Sequence, residues 1–160
     1  MSTTFESEKL LDETSWAILD ALQHDARISY AELGRRVNMS SPAVAERVQR
    51  LVEVGVIEGF HARINPSKLG YPIHAVIRID TQGHDSIPRA TQLFERLPEV
   101  IEAHRTTGVD CYVVQVIARD MQRLEEVIDA LAVVGRTTTG LVLKTLLTRK
   151  MLGPDGEAGK

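Results

Sequence analysis

The 160 residues suit one ordinary domain or two small ones, and 43% apolar with 26% charged residues is the balance of a soluble globular chain. No run approaches the roughly 20 apolar residues that cross a bilayer. Met1 to Lys9 lacks the apolar stretch of a secretory signal, and the single cysteine, Cys111, excludes an internal disulfide framework or multi-cysteine zinc site. The expected compartment is the cytoplasm. A formal charge of −3 argues against indiscriminate nucleic-acid binding, yet residues 27–63 hold six arginines against four acids, a net of +2. The 26 residues before them hold one Lys and six acids.

Residues 11–64 read as three short helices and a wing, after a disordered 1–10. Asp12 is the expected N-cap of the first helix, with Ile18, Leu19 and Leu22 as its apolar stripe. Ser29 caps the second, with Glu32 at capping-box spacing and Leu33 and Val37 inward. Ser40 or Ser41 caps the third, Pro42 sits in its first turn, and Val44, Val48 and Leu51 form its buried stripe. Gly55 ends it. A two-stranded wing is predicted over Val56–Ile64, then a linker over 65–72.

From Ile73 the period changes to two. Ile73, Ala75, Ile77 and Ile79 alternate with His74, Val76, Arg78 and Asp80, a half-buried strand. A helix over Ile87–Leu97, strands over Val100–Thr107 and Cys111–Ala118, a helix capped by Asp120 and a strand over Thr138–Thr148 complete β-α-β-β-α-β. The expected class is α+β: a winged helix-turn-helix, then a ferredoxin-like domain over 73–150 and a disordered tail over 151–160. Two helices on one sheet face leave an apolar face that needs a partner, most economically a second copy.

With its stripe inward, the third helix presents Ser41, Pro42, Ala45, Glu46, Gln49 and Arg50 outward. Small residues at a helix start let the backbone approach a DNA groove, and the hydroxyls of Ser40 and Ser41 suit phosphate at the dipole's positive end. Gln49 suits adenine, Arg50 guanine or phosphate, and Glu46 cytosine, while Arg47, beside the stripe, suits a backbone phosphate. A plain three-helix bundle with solvated charges fits the same periodicity, and the acid Glu46 favours it. The runs Arg27–Leu33, Met39–Val44, Arg47–Leu51 and Gly55–Phe60, then Asn65-Pro66 and Leu69-Gly70, resemble the winged helix of the Lrp/AsnC (feast/famine) regulators. That resemblance implies sequence-specific binding of double-stranded DNA.

Pro98-Glu99-Val100, Thr106-Thr107-Gly108, Asp110-Cys111-Tyr112 and Arg136–Thr139 leading into Leu141–Lys144 resemble the same family's amino-acid-sensing RAM domain. The resemblance implies an amino-acid effector held by Thr107, Gly108, Val109, Asp110, Tyr112, Thr137, Thr138 and Thr139, and a homo-oligomer, either a dimer or an assembly of dimers. Gly108 would let backbone N–H groups approach a carboxylate, and Asp110 would hold an ammonium. The common family loop is Gly-x-x-Asp; here the acid comes one position earlier and Cys111 takes its usual place. A simple hairpin turn is the competing reading of Gly108–Asp110.

No catalytic residue, metal site, cofactor or membrane partner is expected. Cys111 reads as a buried small hydrophobe, and His24, His61, His74, His84 and His104 share no metal-ligand spacing. Two other functions stay open: a sirohaem-decarboxylase-like enzyme, which the same architecture resembles, and a sensor that joins other family members without reading DNA.

Overall fold

The computed structural model describes residues 10–81 and 87–154, so the expected disorder of residues 1–9 and 155–160, and His84, lie outside it. The chain divides into two compact units, residues 1–62 with 147–160, and residues 63–146.

In the first unit, α1 spans Glu13–His24, α2 Tyr30–Val37 and α3 Ser41–Glu53. Each starts where a side-chain oxygen satisfies an orphan N–H. Asp12 accepts from Ser15 N at 2.8 Å, Ser29 from Glu32 N at 3.2 Å and Ser40 from Ala43 N at 3.4 Å. Ile18, Leu33, Val44, Val48 and Leu51 pack the three helices together with almost no exposure, each contributing roughly 1.5–3 kcal/mol by its burial. Leu10, in the segment expected to be disordered, packs against the same core. The turn into α3 is tight: Asn38 is left-handed, and a Cβ on Gly34 would meet the Met39 carbonyl oxygen at 2.4 Å.

The predicted wing does not form, since residues 56–64 contain no strand. Residues 58–64 are exposed throughout, so a hairpin there has no face to bury, and an isolated hairpin is marginal in water. Instead residues 56–61 border a groove whose other lining comes from α1 with its flanking Leu11 and Ala26, and from Arg149–Leu152. Gln23 Nε2 donates to the Leu152 carbonyl at 2.9 Å, and Leu152 N donates to Gln23 Oε1 at 2.8 Å. The tail expected to be disordered from 151 is therefore held as far as Leu152, because one amide side chain satisfies both its backbone groups.

In the second unit β1 (Ile73–Asp80), α4 (Ile87–Arg96), β2 (Val100–Arg105), β3 (Tyr112–Ala118), α5 (Met121–Ala132) and β4 (Arg136–Leu141) follow in the predicted order. The sheet is antiparallel, in the order β2-β3-β1-β4. Ala75, Ile77, Ile79, Val114, Val116, Leu124, Val127 and Leu131 form one core between sheet and helices. β4 stops at Leu141 instead of Thr148. Its neighbour β1 begins at Ile73, Val142 N makes a last bond to His74 O at 2.8 Å, and beyond that no strand remains to pair with.

The other face is less apolar than expected. Val76, Val113 and Ile117 share it with a polar chain in which His74 Nε2 lies 3.1 Å from Gln115 Oε1, Gln115 donates to Glu102, and His104 Nε2 lies 2.7 Å from Glu102 Oε1. Where β2 begins, the buried Glu99 accepts from Arg123 Nε at 2.7 Å, and this guanidinium holds its carboxyl below the usual carboxylate range. No described helix is long and apolar enough to cross a membrane.

Candidate nucleic-acid interface and effector loop

The first turn of α3 carries only short side chains outward. Pro42 is exposed, Ser41 and Ala45 half-buried, and Ser40 accepts the capping bond with its hydroxyl hydrogen free to donate elsewhere. Further along, Glu46, Gln49 and Arg50 are exposed. Arg50 lies 3.4 Å from Glu46, which offsets the repulsion that Glu46 alone would offer a phosphate, and Gln49 donates to Glu53 at 2.8 Å. Both are exposed i,i+4 pairs worth a few tenths of a kcal/mol, roughly 0.2–0.5, so each is free to exchange for a base or phosphate.

Arg47 is different. One of its terminal nitrogens donates to both Asp12 oxygens at 2.6 Å and to Ser15 Oγ at 2.9 Å. The guanidinium in turn holds the Asp12 carboxyl below its usual range. Asp12 thus caps α1 and clamps α3 at once. The phosphate role expected of Arg47 competes with this partner, which sequence spacing does not reveal across 35 residues. Arg35 and Arg36 both lie against Glu32.

At the candidate effector loop, Gly108 takes φ 108°, the left-handed region, and nothing lies near a Cβ placed there. Thr106 donates from its hydroxyl to the Asp110 carbonyl and from its N–H to the Cys111 carbonyl at 2.9 Å, closing the loop beneath Thr107, Gly108 and Val109. Cys111 Sγ donates to Thr81 O at 3.7 Å. Tyr112 turns inward: it is 5% exposed and meets Phe94 edge-on, centroids 5.4 Å apart. It supports the loop from the core.

The threonines lie across β1 from this loop. Arg78 on β1 pairs with Val113 on one side and Thr138 on the other, and Ile79 likewise stands between Tyr112 and Thr137. Two strand spacings, roughly 9.5 Å, thus separate the loop from β4. Thr138 shares the bare face with Arg78, while Thr137 and Thr139 point to the helix side with Ile79 and Ile77. Arg78, which the motif gave no sign of, fills the gap, with its Nε 3.8 Å from Asp110 Oδ2. A separate open pocket of about 400 Å³ lies along β2 and α4; it reaches Arg105 and Tyr112 but no residue from Thr107 to Asp110.

The comparisons match this two-part layout. Residues 11–52 match the AsnC-type helix-turn-helix domain, and residues 74–152 match the Lrp/AsnC ligand binding domain. A helix-turn-helix transcriptional regulator of Mycobacterium tuberculosis is 34% identical over 142 residues, 87% of this chain and 96% of that protein. The regulatory protein AsnC of Escherichia coli is 31% identical over 144 residues, covering 88% and 95%; its structure superposes with a TM-score of 0.78 at 30% identity, covering 87% and 96%. A Neisseria meningitidis transcriptional regulator in complex with L-methionine has a TM-score of 0.82 at 25% identity, covering 91% and 97%. The chain belongs to the Lrp/AsnC family of transcriptional regulators, with a DNA-binding helix-turn-helix unit and a ligand-binding unit.

Proposed function

We propose that this regulator reads duplex DNA with Ser40, Ser41, Pro42, Ala45, Glu46, Gln49 and Arg50 on α3, and that an amino acid at the Gly108–Asp110 loop changes its assembly or DNA affinity. In this reading residues 11–64 are the DNA-binding domain, 65–72 the linker and 73–150 the effector and dimer domain, at work in the cytoplasm. The carrying observation is that an AsnC-type helix-turn-helix and a Lrp/AsnC ligand-binding domain occur in one chain. The short side chains of the first α3 turn support close approach to the groove. The L-methionine bound by the Neisseria relative supports an amino acid as effector. The regulator names of the relatives support this role over a haem-tailoring enzyme.

The bare sheet face, with Val76, Val113 and Ile117, supports a second copy as its cover. Two-fold symmetry then asks for two half-sites about one helical turn apart or a multiple of it. The test is a thermal-shift screen of amino acids, followed by gel retardation on the protein's own upstream DNA with each hit. A hit should stabilise the protein and change DNA affinity roughly 5–150-fold. Retention of no DNA at low salt refutes the DNA half; no stabilisation by any amino acid refutes the effector half.

A further inference from the structure

Four of the six arginines in residues 27–63 lie against carboxylates: Arg35 and Arg36 on Glu32, Arg47 on Asp12, and Arg50 on Glu46. A unit that meets DNA with so much of its positive charge paired has a weak hold on phosphates. The chain's far end changes this balance. Residues 147–154 belong to the same compact unit as the three helices, and the Gln23–Leu152 pair of bonds fixes them there although 129 residues separate the partners. Two and three positions before Leu152 stand Lys150 and Arg149. Both are exposed, and both line the groove bordered by Glu58, Gly59, Phe60 and His61, the segment that follows α3. The docked terminus raises the net charge of the 27–63 region from +2 to +4 when its two cations are added.

We propose that Arg149 and Lys150 are phosphate-contacting residues of the DNA interface, delivered to the helix-turn-helix unit by the docked terminal segment with Gln23 as its latch. The inference rests on the DNA-binding reading and extends it to a part of the chain outside the helix-turn-helix. The ligand is the backbone of duplex DNA, recognised by charge and without regard to sequence. Docking holds the two cations beside residues 56–61, where the expected wing is missing, so that they supply the contacts a basic wing would make. A mobile tail carrying the same charges would lose more freedom on binding.

The test measures binding of the full chain to a selected DNA site and to random DNA over a range of salt concentrations, by anisotropy of labelled DNA. Trp16, the only tryptophan, lines the same groove and reports docking through its emission. Arg149→Gln with Lys150→Gln should leave that emission unchanged and reduce the salt slope by nearly two for each copy bound, about 0.9 for each phosphate no longer neutralised. Affinity for both DNAs should fall by a similar factor, while Arg149→Lys keeps the slope. Gln23→Ala should shift Trp16 emission to the red and lower the slope although both cations remain. An unchanged slope in the double variant overturns the proposal, as does a Gln23 variant that undocks yet keeps its slope. A wild-type chain that retains no DNA at low salt overturns the DNA-binding reading itself, and this inference with it.

Discussion

The clamp between Arg47 and Asp12 makes a sharp distinction between holding the recognition helix and touching DNA. Asp12 both caps α1 and receives the guanidinium, so Asp12→Asn is the informative partner: asparagine caps a helix as well as aspartate does but carries no charge. The Arg47 side chain is 27% exposed and that of Asp12 49%, so an ordinary surface pair would contribute about 0–1 kcal/mol. Here two oxygens are engaged and Ser15, which is fully buried, also takes a bond. Losing that bond adds about 0.5–1.5 kcal/mol. Arg47→Ala should therefore cost about 1–2 kcal/mol, or about 4–8 °C in Tm per kcal/mol for a unit of this size. Asp12→Asn should cost less, and the double variant little more than Arg47→Ala alone, the non-additivity expected of a shared contact. The sign of the pH dependence follows from the lowered Asp12 pKa. The stabilisation is complete above the unfolded value of about 3.9 and fades as pH falls through the lower folded value. Thermal unfolding of the four proteins checks the cycle, and salt-dependent DNA binding checks the role. An Arg47→Ala protein with unchanged Tm and a salt slope lower by about one for each copy bound would refute the clamp and restore Arg47 as a phosphate ligand.

Glu99→Gln should destabilise the ligand-binding unit by about 1–3 kcal/mol, a loss largest at neutral pH and vanishing as acid titrates Glu99 through its lowered pKa, checked by urea unfolding at several pH values. Gly34→Ala drives a Cβ into the Met39 carbonyl; overpacking of this kind costs about 1–3 kcal/mol, and the displaced turn should weaken DNA binding more than it lowers Tm, read by gel retardation beside calorimetry. Val113→Asp places a carboxylate at the centre of the bare sheet face and should turn the proposed dimer into a monomer at micromolar concentration in sedimentation, with the monomer's fold intact by circular dichroism; a wild-type chain that sediments as a monomer refutes the dimer itself. Asp110→Ala should abolish stabilisation by the effector found in the thermal-shift screen while leaving effector-free DNA binding unchanged; a normal response would move the ammonium contact to another residue.

What could be read from the sequence was what is settled within a few residues. The caps at Asp12, Ser29 and Asp120 depend on a side chain and an N–H three positions away, and all three form. The period-two pattern of Ala75, Ile77 and Ile79 and the stripe of Val44, Val48 and Leu51 set their buried faces correctly. What failed depended on partners elsewhere in the chain. The segment expected to form the wing, Val56–Ile64, had no surface to cover, and β4 ended where β1 ran out. The Arg47–Asp12 clamp and the Gln23–Leu152 latch join distant segments by exposed or half-exposed polar groups, which carry no hydropathy signal. At the candidate sites the motif located the loop but not its surroundings. Tyr112 belongs by alternation with Val114 and Val116, which turns its ring into the core, and Arg78 enters the site through sheet order, invisible until β1 is known to lie between β3 and β4.

The pairing of charges bears on how such a regulator would be switched. If most arginines of the helical unit are held by carboxylates, one copy makes few phosphate contacts and binds weakly, since non-specific affinity grows with the number of phosphates neutralised. Two copies joined through their sheets, as proposed, would bind the second half-site as an intramolecular event, raising overall affinity roughly 10²–10⁴-fold without a new contact. Nearly all useful affinity then depends on how the copies are held together, and little on the charge of α3. Asp110, Arg78 and Thr138, the proposed ligand site, meet at the edge of the bare face that the proposed second copy would cover. A ligand there need not reach α3 to change DNA binding: it is enough that it alters the pairing or spacing of copies by a coupling of about 1–3 kcal/mol. A strongly basic helix-turn-helix would grip DNA as a single copy and escape that control, whereas the modest net charge of residues 27–63, +4 even with Arg149 and Lys150 beside it, would leave binding dependent on how the proposed copies are paired.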